Sequence, residues 1–306
     1  MCIQSYCFCH LAQQTDSTTG VAAKSQNQVC YRAKFGGLLI LRSLLLVILL
    51  PLTAQCDEIL ILGNYDKPPK IYLKDGNPQG FLIEIMRHLE RKLPYNFKYQ
   101  LYPWRRAYKN ALNKDGGIIG LSKTSHRETL FDYSEAIYVD EVMLVVLKSN
   151  KLEFSSITDL KGLTIGIQRG AKYGDLFEQK KNNLFQIDED KNGRQRLNKL
   201  LSGRIDAALM GPGRTGVEYI INQDQHLRGH RDDFRILQQP FKKDPNHLGF
   251  AKTMNKVPFL EQFNEVLLAA KQAGEIDKII SDYTAHTAVK ECSNLQKCLN
   301  KNTTNR

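Results

Sequence analysis

Arg127 is the residue of this sequence best suited to hold a small anion, because a guanidinium presents parallel N–H donors that match both oxygens of a carboxylate. It closes the stretch Ser122-Lys123-Thr124-Ser125-His126-Arg127, directly after the apolar run Gly117–Gly120 (GIIG). Ser122 and Thr124 therefore offer hydroxyls and backbone N–H groups beside the same place. Each also reads as an ordinary turn residue, and Arg127 as a surface arginine paired with Glu128 or Asp132. Trp104, the single tryptophan, stands in YPWRRA at a helix start. There a large flat ring either stacks on a ligand and excludes water or packs between helix and sheet. In Gln168-Arg169-Gly170-Ala171-Lys172-Tyr173 a glycine turn leads into a helix, whose free N–H groups receive an anion, and Arg169 and Lys172 add positive charge.

Acid–base catalysis needs a positioned acid or base. His126 and Glu84 are the candidates, but His126 adjoins Arg127 in sequence, and adjacent side chains point apart. No G-x-S-x-G, HExxH or phosphate-cradling loop accompanies them. The chain is accordingly read as a binding protein rather than an enzyme, with no cofactor and no metal.

The elements that must position these residues form two α/β series. Glu58–Leu62 (EILIL) reads as a short strand, and the polar segment from Gly63 to Gln79 as a loop. From Phe81 to Leu93 apolar residues recur at helical spacing. Phe97, Tyr99 and Leu101 alternate as in a half-buried strand, Pro103 suits the first turn of a helix to about Asn113, and GIIG is a third strand. A β-α-β-α-β order implies a parallel sheet with crossover helices. The second series runs through Met143–Leu147, a turn at Thr158–Lys161, a strand at Leu163–Ile167, helices around Tyr173–Lys181 and Gln195–Leu201, and a strand at Ile205–Met210. Strands at Phe234–Leu237 and His247–Ala251 and helices at Phe259–Ala273 and Ile276–Tyr283 complete it. No low-complexity linker divides the two.

Ahead of this lies an export signal: Arg32 and Lys34 precede the apolar stretch Leu38–Leu52, which is short for a membrane span of about 20 residues. Cleavage after Cys56 is expected, with a lipid anchor on Cys56 or a retained anchor helix as alternatives. Residues 1–56 hold four basic groups (Lys24, Arg32, Lys34, Arg42) and one acid (Asp16), so their removal takes the formal charge from +11 to +8. That field favours anionic partners. The charges are scattered without a basic, aromatic-interleaved stripe, which argues against nucleic acid. Of seven cysteines only Cys292 and Cys298 follow the signal, and in an oxidising compartment they read as a disulfide stapling the tail.

The chain resembles the type 3 extracellular solute-binding proteins that serve polar amino acid uptake. The likeness is carried by Gly80-Phe81, by Ser122 to Arg127 followed by Phe131-Asp132-Tyr133-Ser134 and Tyr138, by Asp159-Leu160-Lys161-Gly162 with Ile165 to Gly170, and by Leu201-Ser202-Gly203-Arg204-Ile205-Asp206-Ala207. The resemblance implies an α/β fold of the periplasmic binding protein-like type II class, with a parallel-type sheet in each of two lobes. Lobe 1 would comprise 57–141 and 247–287, lobe 2 would comprise 142–246, and 288–306 would form the tail. Two crossing strands near Val142–Leu147 and His247–Ala251 would be the hinge. Ligand would bind between the lobes, at the carboxyl ends of the strands, and favour closure by touching both walls.

The same resemblance assigns Arg127 to a ligand α-carboxylate, and Tyr65 and Trp104 to the cleft aromatics. Relatives often carry an aromatic near Lys67, and Ser or Thr after Gly170, where this chain has Ala171 and Lys172. Gly211 stands where relatives place an aspartate for the ligand's ammonium. Either Glu218 or Asp66 then takes that role, or the ligand lacks an α-amino group; with Arg169 and Lys172 added, the charge leans toward an acidic ligand. The implied protein is a periplasmic monomer that hands a small carboxylate-bearing molecule to an inner-membrane permease, or reports it to a membrane sensor. A dehydratase on the same fold is the lesser alternative.

Overall fold

The computed structural model describes residues 57–285. The leader and signal within 1–56, the anchoring alternative at Cys56, and the Cys292–Cys298 pair in the tail lie outside the described residues.

In chain order the elements are β1 (Asp57–Asn64), β2 (Asp66–Lys67), β3 (Ile71–Lys74), β4 (Asn77–Gln79), α1 (Phe81–Glu90), β5 (Tyr95–Tyr102), α2 (Trp104–Leu112), β6 (Gly117–Ser122), α3 (Ser125–Glu128), β7 (Phe131–Tyr133) and β8 (Tyr138–Leu147). There follow β9 (Thr164–Gln168), α4 (Asp175–Lys180), β10 (Gln186–Asp190), α5 (Gly193–Leu201), β11 (Ala207–Met210), α6 (Gly213–Gln223), α7 (Gln225–Gly229), β12 (Phe234–Ile236), β13 (Lys242–Ala251) and α8 (Val257–Gln272). Residues 275–285 are helical as well.

One sheet path, β5-β1-β6-β13-β8-β11-β9-β10, runs through both lobes. The strands β5, β1 and β6 are mutually parallel, as are β11, β9 and β10. Between them β13 and β8 run antiparallel to each other and to their outer neighbours. Both faces of each sheet are covered, which is why the central strands read as continuous apolar runs. Along β1 the alternation of side chains sends Ile59 and Ile61 into one core with Phe81, Met86 and Phe263, and Leu60 and Leu62 into another with Ala107 and Phe131. Along β8, Val142, Leu144 and Val146 face one core and Val145 and Leu147 the other.

The crossing differs in place from the expectation. Strands β8 and β13 pair with each other through Tyr138–Val142 and Lys242–Asn246, about five residues before the segments named from sequence. Those apolar segments are instead the lobe-interior ends: Met143–Val145 pairs with β11, and Leu248 and Gly249 pair with β6. The crossing itself is polar because it floors the space between the lobes.

Other departures follow from weak local signals. The segment read as a loop holds a three-stranded antiparallel sheet, β2-β3-β4, whose β3–β4 turn is Asp75-Gly76 with both φ angles positive, the geometry that Asp-Gly favours in a hairpin. The edge strand β10 (QIDED) is highly charged, as edges are, and so escaped an apolar search. Helix α6 contains Gly213 and Gly216, which lower helix propensity, and is held by the buried Val217 and Ile221.

Candidate functional site

A cleft lies between the lobes, its empty space about 820 Å³ with the open solvent at its mouth included. Its walls come from the ends of β1, β6 and β9, the turns that follow β9 and β11, the start of α5, and the polar crossing of β8 and β13.

On the wall of the first lobe, Arg127 is held from several sides. Thr124 caps the single turn α3, its Oγ1 accepting the Arg127 N–H at 3.2 Å, and Arg127 Nη1 donates to the Ser122 carbonyl at 3.1 Å. The guanidinium carbon lies 5.1 Å from the Tyr108 ring centroid and 5.9 Å from that of Trp104, cation–π geometry that replaces hydration with an apolar flank. Arg127 is only 3% exposed. Among the described residues no carboxylate comes within 4.0 Å of it; Asp132, one of its expected surface partners, takes Lys252 at 2.8 Å. A buried guanidinium without an acid is costly, and this one lines the cleft.

The opposite wall contains positive charge that is already spent. Arg196 is bidentate to Asp190, at 3.0 Å from Nε and 2.7 Å from Nη2, and its Nη1 donates to the Leu209 carbonyl at 2.6 Å. Lys172 lines the cleft, but its ammonium lies 2.5 Å from Glu178. Trp104 Nε1 donates across the gap to the Gly170 carbonyl at 3.2 Å, so the indole joins the two walls.

At the crossing, Lys67 and Lys70 line the cleft and share one carboxylate, that of Asp140, at 3.4 and 3.3 Å. Burial, followed by the charge of Lys67, pushes Lys70 down to about 8, while Asp140 is held below the ordinary carboxylate range against its own burial by the two lysines. Lys70 also donates to Asn246 Oδ1, and its Nζ stands 5.0 Å from the Tyr138 ring centroid. Asp66 accepts from Asn192 Nδ2 of the other lobe at 2.8 Å and has no cation within 4.0 Å.

Of the residues singled out from sequence, the cleft lining includes Arg127, Ser122, Trp104, Ala171, Lys172 and Gly211. Four are not part of it. Tyr65 packs on the lobe core containing Phe81. Thr124 is spent on its cap. Arg169 pairs with Glu189 at 3.7 Å, and Gly170 contributes a carbonyl to Trp104. Glu218 is also absent from the lining, whereas Asp66 is present. The Ser122 hydroxyl is not free to donate to a ligand, since it donates to Asp244 at 2.5 Å. Sequence reasoning passed over Lys70, Asp244 and Asn246. For the last two a signal existed: in KKDPNH, polar residues alternate at positions 244 and 246, and in a strand those point to one side.

A family model described as bacterial extracellular solute-binding proteins, family 3, matches residues 59–286. The arginine-binding extracellular protein ArtP of Bacillus subtilis (strain 168) is 24% identical over 228 residues, covering 72% of this chain and 84% of that protein. The crystal structure of an arginine 3rd transport system periplasmic binding protein from Legionella pneumophila superposes with a TM-score of 0.62 at 17% identity, over 74% of this chain and 99% of that one. A histidine kinase sensor domain similar to periplasmic binding proteins superposes with a TM-score of 0.61 at 16% identity, over 74% and 95%.

Proposed function

The chain belongs to the bacterial extracellular solute-binding proteins, family 3, and from that premise we propose that it captures a small carboxylate-bearing solute, an amino acid or a related acid, between its lobes. The observation that carries this reading is Arg127: buried, in the cleft, and without a carboxylate of its own within 4.0 Å. The ligand's carboxylate completes it. Trp104 covers the carboxylate, and an α-ammonium, where the ligand has one, meets Asp66. The arginine-binding names of relatives support amino acids as the class.

The protein acts in the periplasm after export, as a monomer divided into lobes within β8 and β13, and delivers its ligand to an inner-membrane permease. Among the described residues no helix is long and apolar enough to cross a membrane. It performs no chemistry on the ligand: His126 is exposed and Glu84 pairs with Arg87 at 2.7 Å, so neither candidate acid or base faces the cleft. A second reading, ligand sensing for a membrane kinase, draws on the sensor-domain likeness and uses the same closing clamp.

A thermal-shift screen of the purified protein against the common amino acids and small carboxylates tests the proposal, since a ligand that binds only the folded state raises Tm. At least one carboxylate-bearing compound is expected to raise Tm in wild type and not in Arg127→Met. If none does, the reading fails.

A further inference from the structure

We propose that Lys67 and Lys70 form a second anion-binding point in the cleft, so that the solute is an acidic amino acid or a short dicarboxylate whose second anionic group meets these two ammonium groups. This rests on the reading above and goes further by naming the class of ligand.

The first ground is charge. Two ammonium groups share the single Asp140 carboxylate. The next acid that acts on Lys70, Asp244, is engaged elsewhere: Lys242 lies 2.9 Å from it and the Ser122 hydroxyl donates to it. The remaining neighbours of Lys70 are Asn246, a neutral amide, and the Tyr138 ring. Within 4.0 Å the two lysines thus have one carboxylate between them, in a place where Lys70 is only 2% exposed. A cation in that condition favours any ligand that brings the missing charge. Burial first, and then the charge of Lys67, depress the proton affinity of Lys70.

The second ground is space. A Cβ added at Gly211 would sit 3.3 Å from Lys67 Nζ and 3.3 Å from Asp140 Oδ2, and one added at Gly120 would sit 3.5 Å from Lys70 Nζ. Side chains at these two positions would cover the ammonium groups. Glycine keeps that space beside both ammonium groups free of a side chain, along the cleft that Gly120 and Gly211 themselves line.

The third ground is separation. Gly120, beside Lys70, and Ser122, whose carbonyl anchors Arg127, lie two residues apart on β6. Both points therefore border one short stretch of β6, within a single cleft that a short diacid would enter. Asp66, near Lys67 in the chain and without a cation of its own, suits the ammonium of an acidic amino acid; a plain dicarboxylate would do without it.

Isothermal titration of the purified protein with L-glutamate, L-glutamine, L-arginine and glutarate tests this. L-glutamate or glutarate is expected to bind at least tenfold more tightly than L-glutamine and L-arginine, the order of the first two deciding whether Asp66 serves an ammonium. Lys70→Met is expected to narrow the glutamate-to-glutamine affinity ratio toward one. Lys67→Met, at a more exposed position that tolerates replacement, is expected to narrow it in the same direction. Equal or tighter binding of L-glutamine or L-arginine overturns the proposal, as does an unchanged ratio in folded Lys67→Met, and either result leaves the Arg127 reading intact. No binding of any of the four, with none in the wider thermal screen, removes that reading as well.

Discussion

Two buried arginines face each other across the cleft, Arg127 at 3% and Arg196 at 4% exposure. Arg196 fills its donors within the protein, with both oxygens of Asp190 and the Leu209 carbonyl. Arg127 has one carbonyl and two aromatic rings. On the function proposed above, the difference separates structural from binding charge more sharply than burial does. A cation that brings its own acid pins β10 to α5 and holds up a wall; one that lacks an acid leaves valence for a solute. The same test applied to the lysines groups Lys172, paired with Glu178, with Arg196, and places Lys70 beside Arg127.

Loss of Arg196 is expected to cost the most stability. Arg196→Met strands the Asp190 carboxylate, which is 2% exposed, and is expected to cost about 3–5 kcal/mol of stability, read as a lower urea midpoint. Arg127→Met strands no charge and takes only one donor from the Ser122 carbonyl. It is expected to leave stability within about 1 kcal/mol of wild type while weakening ligand binding by a factor of about 100 or more, about 3 kcal/mol, in calorimetric titration. Should Arg127→Met unfold the protein and Arg196→Met leave it stable, the assignment of roles is reversed.

Lys70 sharpens the contrast through pH. Its folded value of about 8 lies below the ordinary 10.5, so between these values the unfolded chain holds a proton that the native state does not. Stability must then rise with pH across that window, by roughly 2–3 kcal/mol from this one group; below about pH 8 the full cost of the buried charge is present. Urea denaturation of wild type and Lys70→Met between pH 7.5 and 10.5 should show the slope in the first and its loss in the difference. The smallest effect is at Trp104. Trp104→Phe keeps a ring over Arg127 and removes the bond to Gly170, about 1 kcal/mol, which is near a fivefold loss of affinity.

Much of the fold was legible because the central strands announce themselves as apolar runs: EILIL became the interior of β1 and MLVVL the second half of β8. The place of Arg127 in the cleft was legible from its guanidinium chemistry and its position just after the GIIG strand; the cap by Thr124 that fixes it there was not read from sequence. What stayed hidden depended on pairing across the chain. Nothing in the local sequence tells that Lys172 is met by Glu178, or that Arg169 is drawn to Glu189, so both were counted as ligand charge. Lys70 sits in a proline-bearing segment that reads as loop, and it becomes a cleft residue only because β8 and β13 bring Asp140 and Asn246 to it from 70 and 176 residues away. Gly211 was noticed as a missing acid; what the fold places opposite it is a lysine and a carboxylate from other elements.

The central claim is that the Arg127 guanidinium holds the carboxylate of the solute. The most direct measurement is calorimetric titration of wild type and Arg127→Met with the solute that the thermal screen identifies and with its α-carboxyl methyl ester (for a plain dicarboxylate, its monomethyl ester). Esterification is expected to weaken binding to wild type by about a hundredfold, about 2.7 kcal/mol, and to make little difference to Arg127→Met. Equal binding of acid and ester by wild type, or the same hundredfold gap in the variant, would contradict it.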